Sequence, residues 1–168
     1  MDKRLESNMR FLCDESRMLT GITVAYGTTT YSEWAQYGRA QEIDRAENGF
    51  IPAVRPLIPD TIYDLASLTK VVGTTTALMV LYDEGKVDLD APVRQYLPAF
   101  SGGAKDRVTI RHLLTHRSGL PPGRDLWRSA RTPAEARDQV IATPLACRPG
   151  DCYEYSDLGA DVLGFVVE

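Results

Sequence analysis

The apolar segment of residues 71–82 has to be buried in a folded chain, so the other elements must pack around it. Apolar side chains occupy nearly every face that a helix would present over this segment, which is typical of a central helix rather than a surface helix. Gly85 follows the segment, and glycine is the usual residue just after the last turn of a helix. We therefore predict a buried helix from about Leu68 to Glu84.

Ser67 and Lys70 stand three residues apart at the start of this predicted helix. Positions i and i+3 share a helix face, so the hydroxyl and the amine can meet. A serine hydroxyl becomes a nucleophile when a neighbouring base takes its proton. Lysine serves as that base where burial or nearby cations lower its pKa, and an apolar helix favours a desolvated Lys70. The alternative is a helix N-cap serine followed by a solvated lysine.

The overall composition is that of an ordinary globular protein. The chain has 168 residues, of which 43% are hydrophobic and 25% charged, which suffices for one domain with a real core. The net charge of −4 provides no basic surface, so nucleic acid is not expected as a partner. The longest apolar run is too short to cross a bilayer, and charges occupy the N-terminal stretch where a secretory signal has its apolar core. These features predict a cytoplasmic protein without a membrane span.

The three cysteines are Cys13, Cys147 and Cys152, and they lack the spacing of a closed zinc site. Cys147 and Cys152 flank a turn of four residues, which allows a local disulfide in an oxidising compartment. Reduced thiols are the expected state, because disulfides are rare in the cytoplasm.

His112 and His116 stand four residues apart, as metal-binding histidines on a helix do. Leu113 follows His112, whereas the metalloprotease motif His-Glu-x-x-His has glutamate at this position. This difference argues against a metal site, so no metal or cofactor is expected. A metal-dependent hydrolase built on the two histidines is the alternative.

Before Ser67, the sequence predicts a helix and a β-hairpin. Apolar residues recur at near-helical spacing over residues 3–19. β-Branched and aromatic residues mark a strand over residues 22–26, and residues 31–39 are predicted to return antiparallel to it. Residues 40–60 are polar and then rich in proline, which predicts a loop.

After Ser67, helix-start signals dominate. Thr109 precedes a predicted helix over residues 110–115, and Thr132 followed by Pro133 begins a predicted helix to about residue 142. Ser156 or Asp157 caps a final helix that continues to Glu168 without a stop signal. An end in mid-helix predicts a fragment of a longer domain.

Four stretches together resemble the superfamily of serine β-lactamases and penicillin-binding proteins, in its class-C-like branch of esterases and D-peptidases. Residues 67–70 are similar to the first motif, Ser-x-x-Lys. Residues 85–98 and 108–120 are similar to two further signatures of the family. Residues 155–157 are similar to its Tyr-x-Asn motif, with aspartate in the place of asparagine. The matches follow the family's order and cover nearly the whole chain.

The resemblance implies an α+β fold of the β-lactamase/transpeptidase type and a serine hydrolase of small molecules, namely β-lactams, esters or D-amino-acid peptides. Ser67 would be the acyl-forming nucleophile, and its backbone N–H would donate to the oxyanion. Lys70 would share or relay the serine proton. Tyr155 would act as base and then as acid to the leaving group, since a nearby lysine charge lowers the pKa of a phenol. Asp157 would bind the substrate, or would only cap the last helix.

The third motif of the family, a Lys/His-x-Gly strand, has no match after Tyr155. The resemblance implies that this strand supplies the second oxyanion donor, and that the C-terminal sheet strands are missing with it. Residues 1–168 are thus expected to form a partial domain. Residues 1–66 would contain the helix, hairpin and loop, and residues 67–168 the nucleophile helix and a helical region. A non-catalytic remnant or binding protein of the same fold is the alternative to an enzyme impaired by truncation.

Overall fold

The computed structural model describes residues 2–46 and 49–168. These residues form two compact units, of which the first ends at Asp64 and the second begins at Leu65. Within the described ranges, no helix is both long and apolar enough to cross a membrane.

The first unit begins with helix α1 (Lys3–Arg10), which continues as a π-helical turn over Phe11–Glu15. Met9 and Cys13, four residues apart on one face, are its buried side chains, whereas Arg10 and Phe11 between them are exposed. The helix predicted over residues 3–19 is confirmed, although it ends four residues earlier than predicted.

Three antiparallel strands complete the first unit, with the second strand in the middle. Their bounds are β1 (Gly21–Gly27), β2 (Ser32–Ala46) and β3 (Gly49–Pro56). The predicted hairpin is confirmed by the pairing of β1 with β2. The predicted loop over residues 40–60 is wrong, because residues 40–46 extend β2 and most of the remainder forms β3.

Pro52 and Pro56 fit strand β3 because β3 lies at the edge of the sheet. A proline has no N–H to donate, so it is tolerated where a strand has only one neighbour. Pro52 lies opposite Ile43 and Pro56 lies opposite Arg39, and the register shifts twice between these pairs. The prolines therefore mark an irregular edge strand here rather than a loop.

The second unit is helical among its described residues. It begins with a stretch that becomes helical at Leu68. The elements are a π-helical segment (Lys70–Thr75), α2 (Thr76–Asp83), 3-10 turns over Val93–Gln95 and Gly103–Arg107, α3 (Ile110–Leu114), α4 (Leu126–Ser129), α5 (Pro133–Ala142) and α6 (Asp157–Val167). Gly85 has φ of +69° just after α2, as predicted for the residue that terminates this helix.

The core of the second unit lies where α2, α3, α5 and α6 meet. Its fully buried side chains include Phe100, Ile110 and Val162. Leu78 is the buried residue of α2 and belongs to this core. Helix α6 contacts each of the other three helices, so it fixes their positions around the core.

The helix over residues 68–83 is not buried all round, contrary to the prediction. Its exposed apolar face consists of Val71, Val72, Met79 and Val80, each more than half exposed. The physical reason is that the described residues of the second unit pack against only the face that carries Leu78. Apolar composition therefore predicted the helix correctly but not what covers it.

Two predicted helix caps are confirmed. Thr109 Oγ1 accepts a hydrogen bond from the backbone N–H of His112, and His112 Nδ1 accepts one from the backbone N–H of Thr109, both at 3.2 Å. This reciprocal capping box begins α3. Thr132 Oγ1 accepts from the backbone N–H of Glu135 at 3.1 Å and begins α5.

A disulfide joins Cys147 and Cys152. The turn between them holds their Cα atoms 6.5 Å apart, a separation that a disulfide can span. The expectation of reduced thiols is therefore not met in this structure.

The capping box gives a test of how α3 is stabilised. Thr109→Ala removes the hydroxyl that accepts from His112, so we expect the free energy of unfolding to fall by about 1 kcal/mol. Urea denaturation measures this change. Thr109→Ser keeps the hydroxyl and should keep most of the stability, and an equal loss in both variants would contradict the role of the cap.

Candidate active site

Ser67 lies in the turn that begins the helix over residues 68–83. Its carbonyl oxygen accepts a hydrogen bond from the backbone N–H of Lys70 at 3.2 Å. The preceding residue, Ala66, has φ of +45°, in the left-handed region that residues other than glycine seldom adopt. Strained residues of this kind cluster at functional sites. The bend at Ala66 leaves Ser67 at the N-terminal end of the helix, where the free N–H groups carry partial positive charge.

The Ser67 hydroxyl and the Lys70 amine are in contact, as their spacing predicts. Lys70 Nζ donates a hydrogen bond to Ser67 Oγ at 3.1 Å, and the Lys70 side chain is only 19% exposed. Lys70 is the first residue of the π-helical segment, and Thr75 Oγ1 donates to its carbonyl oxygen at 2.8 Å. Single π-helical turns are frequent at functional sites, because they alter the direction of side chains along a helix.

Asp157 forms an ion pair with Lys70, with 2.7 Å between Oδ1 and Nζ. The alternative that Asp157 caps the last helix is wrong: Ser156 is the N-cap of α6, and its Oγ accepts from the backbone N–H of Gly159 at 3.1 Å. Asp157 is the first residue of α6, so its carboxylate is directed by the helix start towards Lys70. The substrate-binding role of Asp157 stays a prediction.

The ion pair determines the charge of Lys70. Its hydrogen bond with Asp157 is the main reason that the pKa of Lys70 is raised, and it outweighs the lowering effect of burial. Lys70 is desolvated, as the apolar helix favours, but its burial comes together with a carboxylate partner. Its pKa is therefore raised rather than lowered, which favours the ammonium form at neutral pH.

Tyr155 approaches the same two side chains from the residues just before α6. Hydrogen bonds with Ser67 and then with Lys70 lower the pKa of the Tyr155 phenol below its ordinary value of 10.0. Lys70 Nζ lies 5.0 Å from the centroid of the tyrosine ring. A phenolate beside an ammonium group and a serine hydroxyl can accept the serine proton. The structure thus brings together Ser67, Lys70, Tyr155 and Asp157, the four site residues predicted from the sequence.

A cavity of about 370 Å³ adjoins Lys70, and Asp157, Asp161 and Arg124 are among its lining residues. Burial is the main reason that the pKa of Asp161 is raised. Neither Asp161 nor Arg124 was predicted as a site residue from the sequence. Asp161 follows Asp157 by one helical turn, and this spacing is the signal that could have placed both on one face of α6. For Arg124, no local pattern points to the cavity.

The two histidines have different surroundings in the described part of the chain. Within the described ranges, no three side chains of histidine, cysteine, aspartate or glutamate are grouped as ligands of one ion. His112 uses Nδ1 in the capping box of α3. His116 lies against the ring of Tyr155, with 4.6 Å between ring centroids. Sequence spacing could not reveal this contact, because the two residues are far apart in the chain.

The sequence matches the Beta-lactamase family over residues 24–168. The match covers most of the chain and includes Ser67, Lys70, Tyr155 and Asp157. The chain belongs to the Beta-lactamase family, which is a family of serine hydrolases.

Similar proteins include an esterase and two β-lactamase structures. Esterase EstB of Burkholderia gladioli is 37% identical over 153 residues, which cover 79% of this chain and 37% of the esterase. A class C β-lactamase solved in complex with cefoxitin is 22% identical with a TM-score of 0.77, covering 98% of this chain and 43% of that protein. A β-lactamase/D-alanine carboxypeptidase from Pseudomonas syringae is 20% identical with a TM-score of 0.76, covering 97% and 42%.

The chain spans less than half the length of each of these three proteins. The two solved structures share the β-lactamase/transpeptidase fold with it, and the three-stranded antiparallel sheet and the helices described above are parts of that fold. The fold class predicted from the sequence is thereby confirmed.

The effect of Asp157 on the pKa of Lys70 can be tested by titration. Asp157→Asn removes the carboxylate that mainly raises the pKa of Lys70, so we expect that pKa to fall. NMR of isotope-labelled lysine side chains measures it, with the Lys70 signal assigned by Lys70→Arg. Asp151→Asn removes an exposed carboxylate from a turn of the same unit and should leave the pKa of Lys70 as it is. An unchanged pKa in Asp157→Asn would contradict the assignment.

Proposed function

We propose that this chain carries the acylation machinery of a serine hydrolase, in which Ser67 forms an ester with the acyl group of the substrate. The observation that carries the proposal is that the side chains of Ser67, Lys70 and Tyr155 are in contact, with Asp157 paired to Lys70. Lys70 Nζ lies 3.1 Å from Ser67 Oγ and 2.7 Å from Asp157 Oδ1, and the phenol of Tyr155 has hydrogen bonds with Ser67 and Lys70. Nucleophile, base and a cation that stabilises the base are thus adjacent.

Acylation would proceed by transfer of the Ser67 proton to the phenolate of Tyr155. The bond from Oγ to the carbonyl carbon forms, and a tetrahedral oxyanion develops beside the backbone N–H of Ser67. Tyr155 then returns the proton to the leaving oxygen or nitrogen as the bond from that atom to the carbonyl carbon breaks. Lys70 stays an ammonium group throughout and keeps the phenolate stable, because Asp157 holds its charge.

Deacylation would use the same groups in reverse roles. Tyr155 as phenolate takes a proton from water as the water oxygen attacks the acyl carbon. Tyr155 then gives this proton to Ser67 Oγ as the bond from Oγ to the acyl carbon breaks, which restores the serine hydroxyl and the phenolate. The rate depends on how many donors hold the oxyanion, and loss of one donor typically costs about a hundred- to a thousandfold. The chain has no match to the third motif that would supply the second donor. We therefore expect slow turnover from this chain.

The substrate would be a small molecule with an activated ester or amide carbonyl. Similar proteins include an esterase, a β-lactamase bound to cefoxitin and a β-lactamase/D-alanine carboxypeptidase. Esters, β-lactams and D-amino-acid peptides all present a carbonyl with a leaving group that Tyr155 could protonate. These three classes are the substrates to test.

Covalent labelling tests the nucleophile directly. A fluorophosphonate reacts with an activated serine, so we expect it to label the chain at Ser67, identified by mass spectrometry of the labelled peptide. Ser67→Ala should abolish labelling, whereas Ser101→Ala, which changes an exposed serine of the same unit, should not. A folded wild-type chain that stays unlabelled would overturn the proposal and favour a binding protein of the same fold.

The pH dependence of labelling tests the base. Tyr155 is active as phenolate, and its pKa is lowered, so the labelling rate should rise about tenfold per pH unit up to that pKa and then level off. The rate should then stay constant at higher pH until Lys70 loses its proton. Because the pKa of Lys70 is raised above its ordinary value of 10.5, this loss should occur only above that pH. Tyr155→Phe should remove the rise and lower the rate by about a hundredfold or more. An identical profile in Tyr155→Phe would show that another group is the base.

A further inference from the structure

His116 forms hydrogen bonds with the backbone on both sides of Tyr155. Its carbonyl oxygen accepts a hydrogen bond from the backbone N–H of Glu154 at 2.9 Å. Its Nδ1 accepts one from the backbone N–H of Ser156 at 3.1 Å. One residue thus accepts hydrogen bonds from the backbone N–H groups of the residues immediately before and after the tyrosine, so a shift of this stretch of backbone would disturb both bonds.

The imidazole ring also lies against the tyrosine ring. The two centroids are 4.6 Å apart with 38° between the ring planes, a separation at which aromatic pairs attract. His116 is half-buried, and both His116 and Lys70 line a small cavity of about 30 Å³. The contacts of His116 therefore extend from the backbone of Tyr155 to its side chain and to the surroundings of Lys70.

The backbone of His116 is fixed by the end of α3. Its N–H donates to the carbonyl oxygen of Leu113 at 3.1 Å, and the N–H of Arg117 donates to that of His112 at 2.7 Å. His116 has φ of +55°, the left-handed conformation that often follows the last turn of a helix. Asparagine, aspartate and histidine adopt this conformation more readily than most residues. The imidazole is thus carried by a helix end that belongs to the core of the unit.

The hydrogen bond to Ser156 requires a neutral imidazole. Nδ1 accepts a proton donor, so the ring hydrogen must be on Nε2. Burial and the charge of Lys70 lower the pKa of His116, while Asp157 opposes this effect. The ring is therefore neutral at neutral pH and available as an acceptor.

We propose that His116 is a positioning residue that holds the hydroxyl of Tyr155 against Ser67 and Lys70 through the acceptor at Nδ1. This inference rests on the proposed function, in which Tyr155 is the base. His116 takes no proton in the reaction. It connects the end of α3 to Tyr155, a residue that is 44% exposed.

Two amide variants separate positioning from packing. Asparagine places its side-chain oxygen where Nδ1 stands, and it tolerates the left-handed backbone. Glutamine is the matched control, because its oxygen lies one methylene farther along the side chain, nearer the place of Nε2. His116→Phe keeps an aromatic ring against Tyr155 but has no acceptor. Thermal unfolding of each variant shows which ones are folded.

The decisive measurement is the titration of Tyr155 by NMR of tyrosine labelled at Cζ, with the signal assigned by Tyr155→Phe. We expect the wild type and His116→Asn to share a lowered pKa of Tyr155, and His116→Gln and His116→Phe to return it towards 10.0. Labelling by fluorophosphonate should fall on the order of a hundredfold in the latter two, since misplacement of a catalytic group by about 1 Å costs that much, and His116→Asn should keep the wild-type rate.

Equal Tyr155 pKa values in His116→Asn and His116→Gln would overturn the inference, whether both match the wild type or both differ from it. If His116→Phe does not fold, the asparagine and glutamine pair decides the question alone. The titration needs no turnover. An unlabelled wild-type chain would therefore refute the hydrolase proposal, while the comparison of variants by NMR would still decide whether His116 positions Tyr155.

Discussion

The ion pair between Lys70 and Asp157, at 2.7 Å, is the interaction on which the arrangement of the site depends. It connects the helix of the nucleophile to the first residue of α6. It also keeps a positive charge on a side chain that is only 19% exposed, where burial alone would favour the neutral amine. Hydrogen bonds with Ser67 and then with Lys70 lower the pKa of Tyr155, and the charge of Lys70 adds to this effect. A single contact between two helices therefore also influences the phenol.

Tyr155 and Asp157 were predicted only through the resemblance of residues 155–157 to a family motif. Ser67 and Lys70 were predictable from the residues themselves because their signal is local: they are one helical turn apart. Helix caps such as Thr109 were predictable for the same reason, since a capping hydrogen bond joins residues three apart. The role of His116 was not, because its decisive bond goes to a backbone N–H forty residues away, and a backbone donor leaves no trace in the sequence.

Most helices and strands were predictable from the sequence, but the contacts that each of them makes with other parts of the chain were less so. Strand β3 was missed because prolines indicate loops unless a neighbouring strand is known, and Pro52 is acceptable only at a sheet edge. The disulfide between Cys147 and Cys152 was not expected, because the compartment rule concerns the environment and not the distance between the two residues. The raised pKa of Lys70 was not predicted, since apolar neighbours in sequence do not reveal a carboxylate that is contributed by α6.

The exposed apolar face of the helix over residues 68–83 has an energetic consequence. Burial of a valine or methionine side chain stabilises a structure by about 1.5–3 kcal/mol, and Val71, Val72, Met79 and Val80 contribute only part of that amount while they stand in water. Among the described residues of the second unit, the side of the helix that carries Leu78 is the side that packs into the core. Burial of the opposite side under another polypeptide surface would stabilise the helix further. The same helix has Ser67 at its start and Lys70 in its first turn, so that stabilisation would reach the site as well.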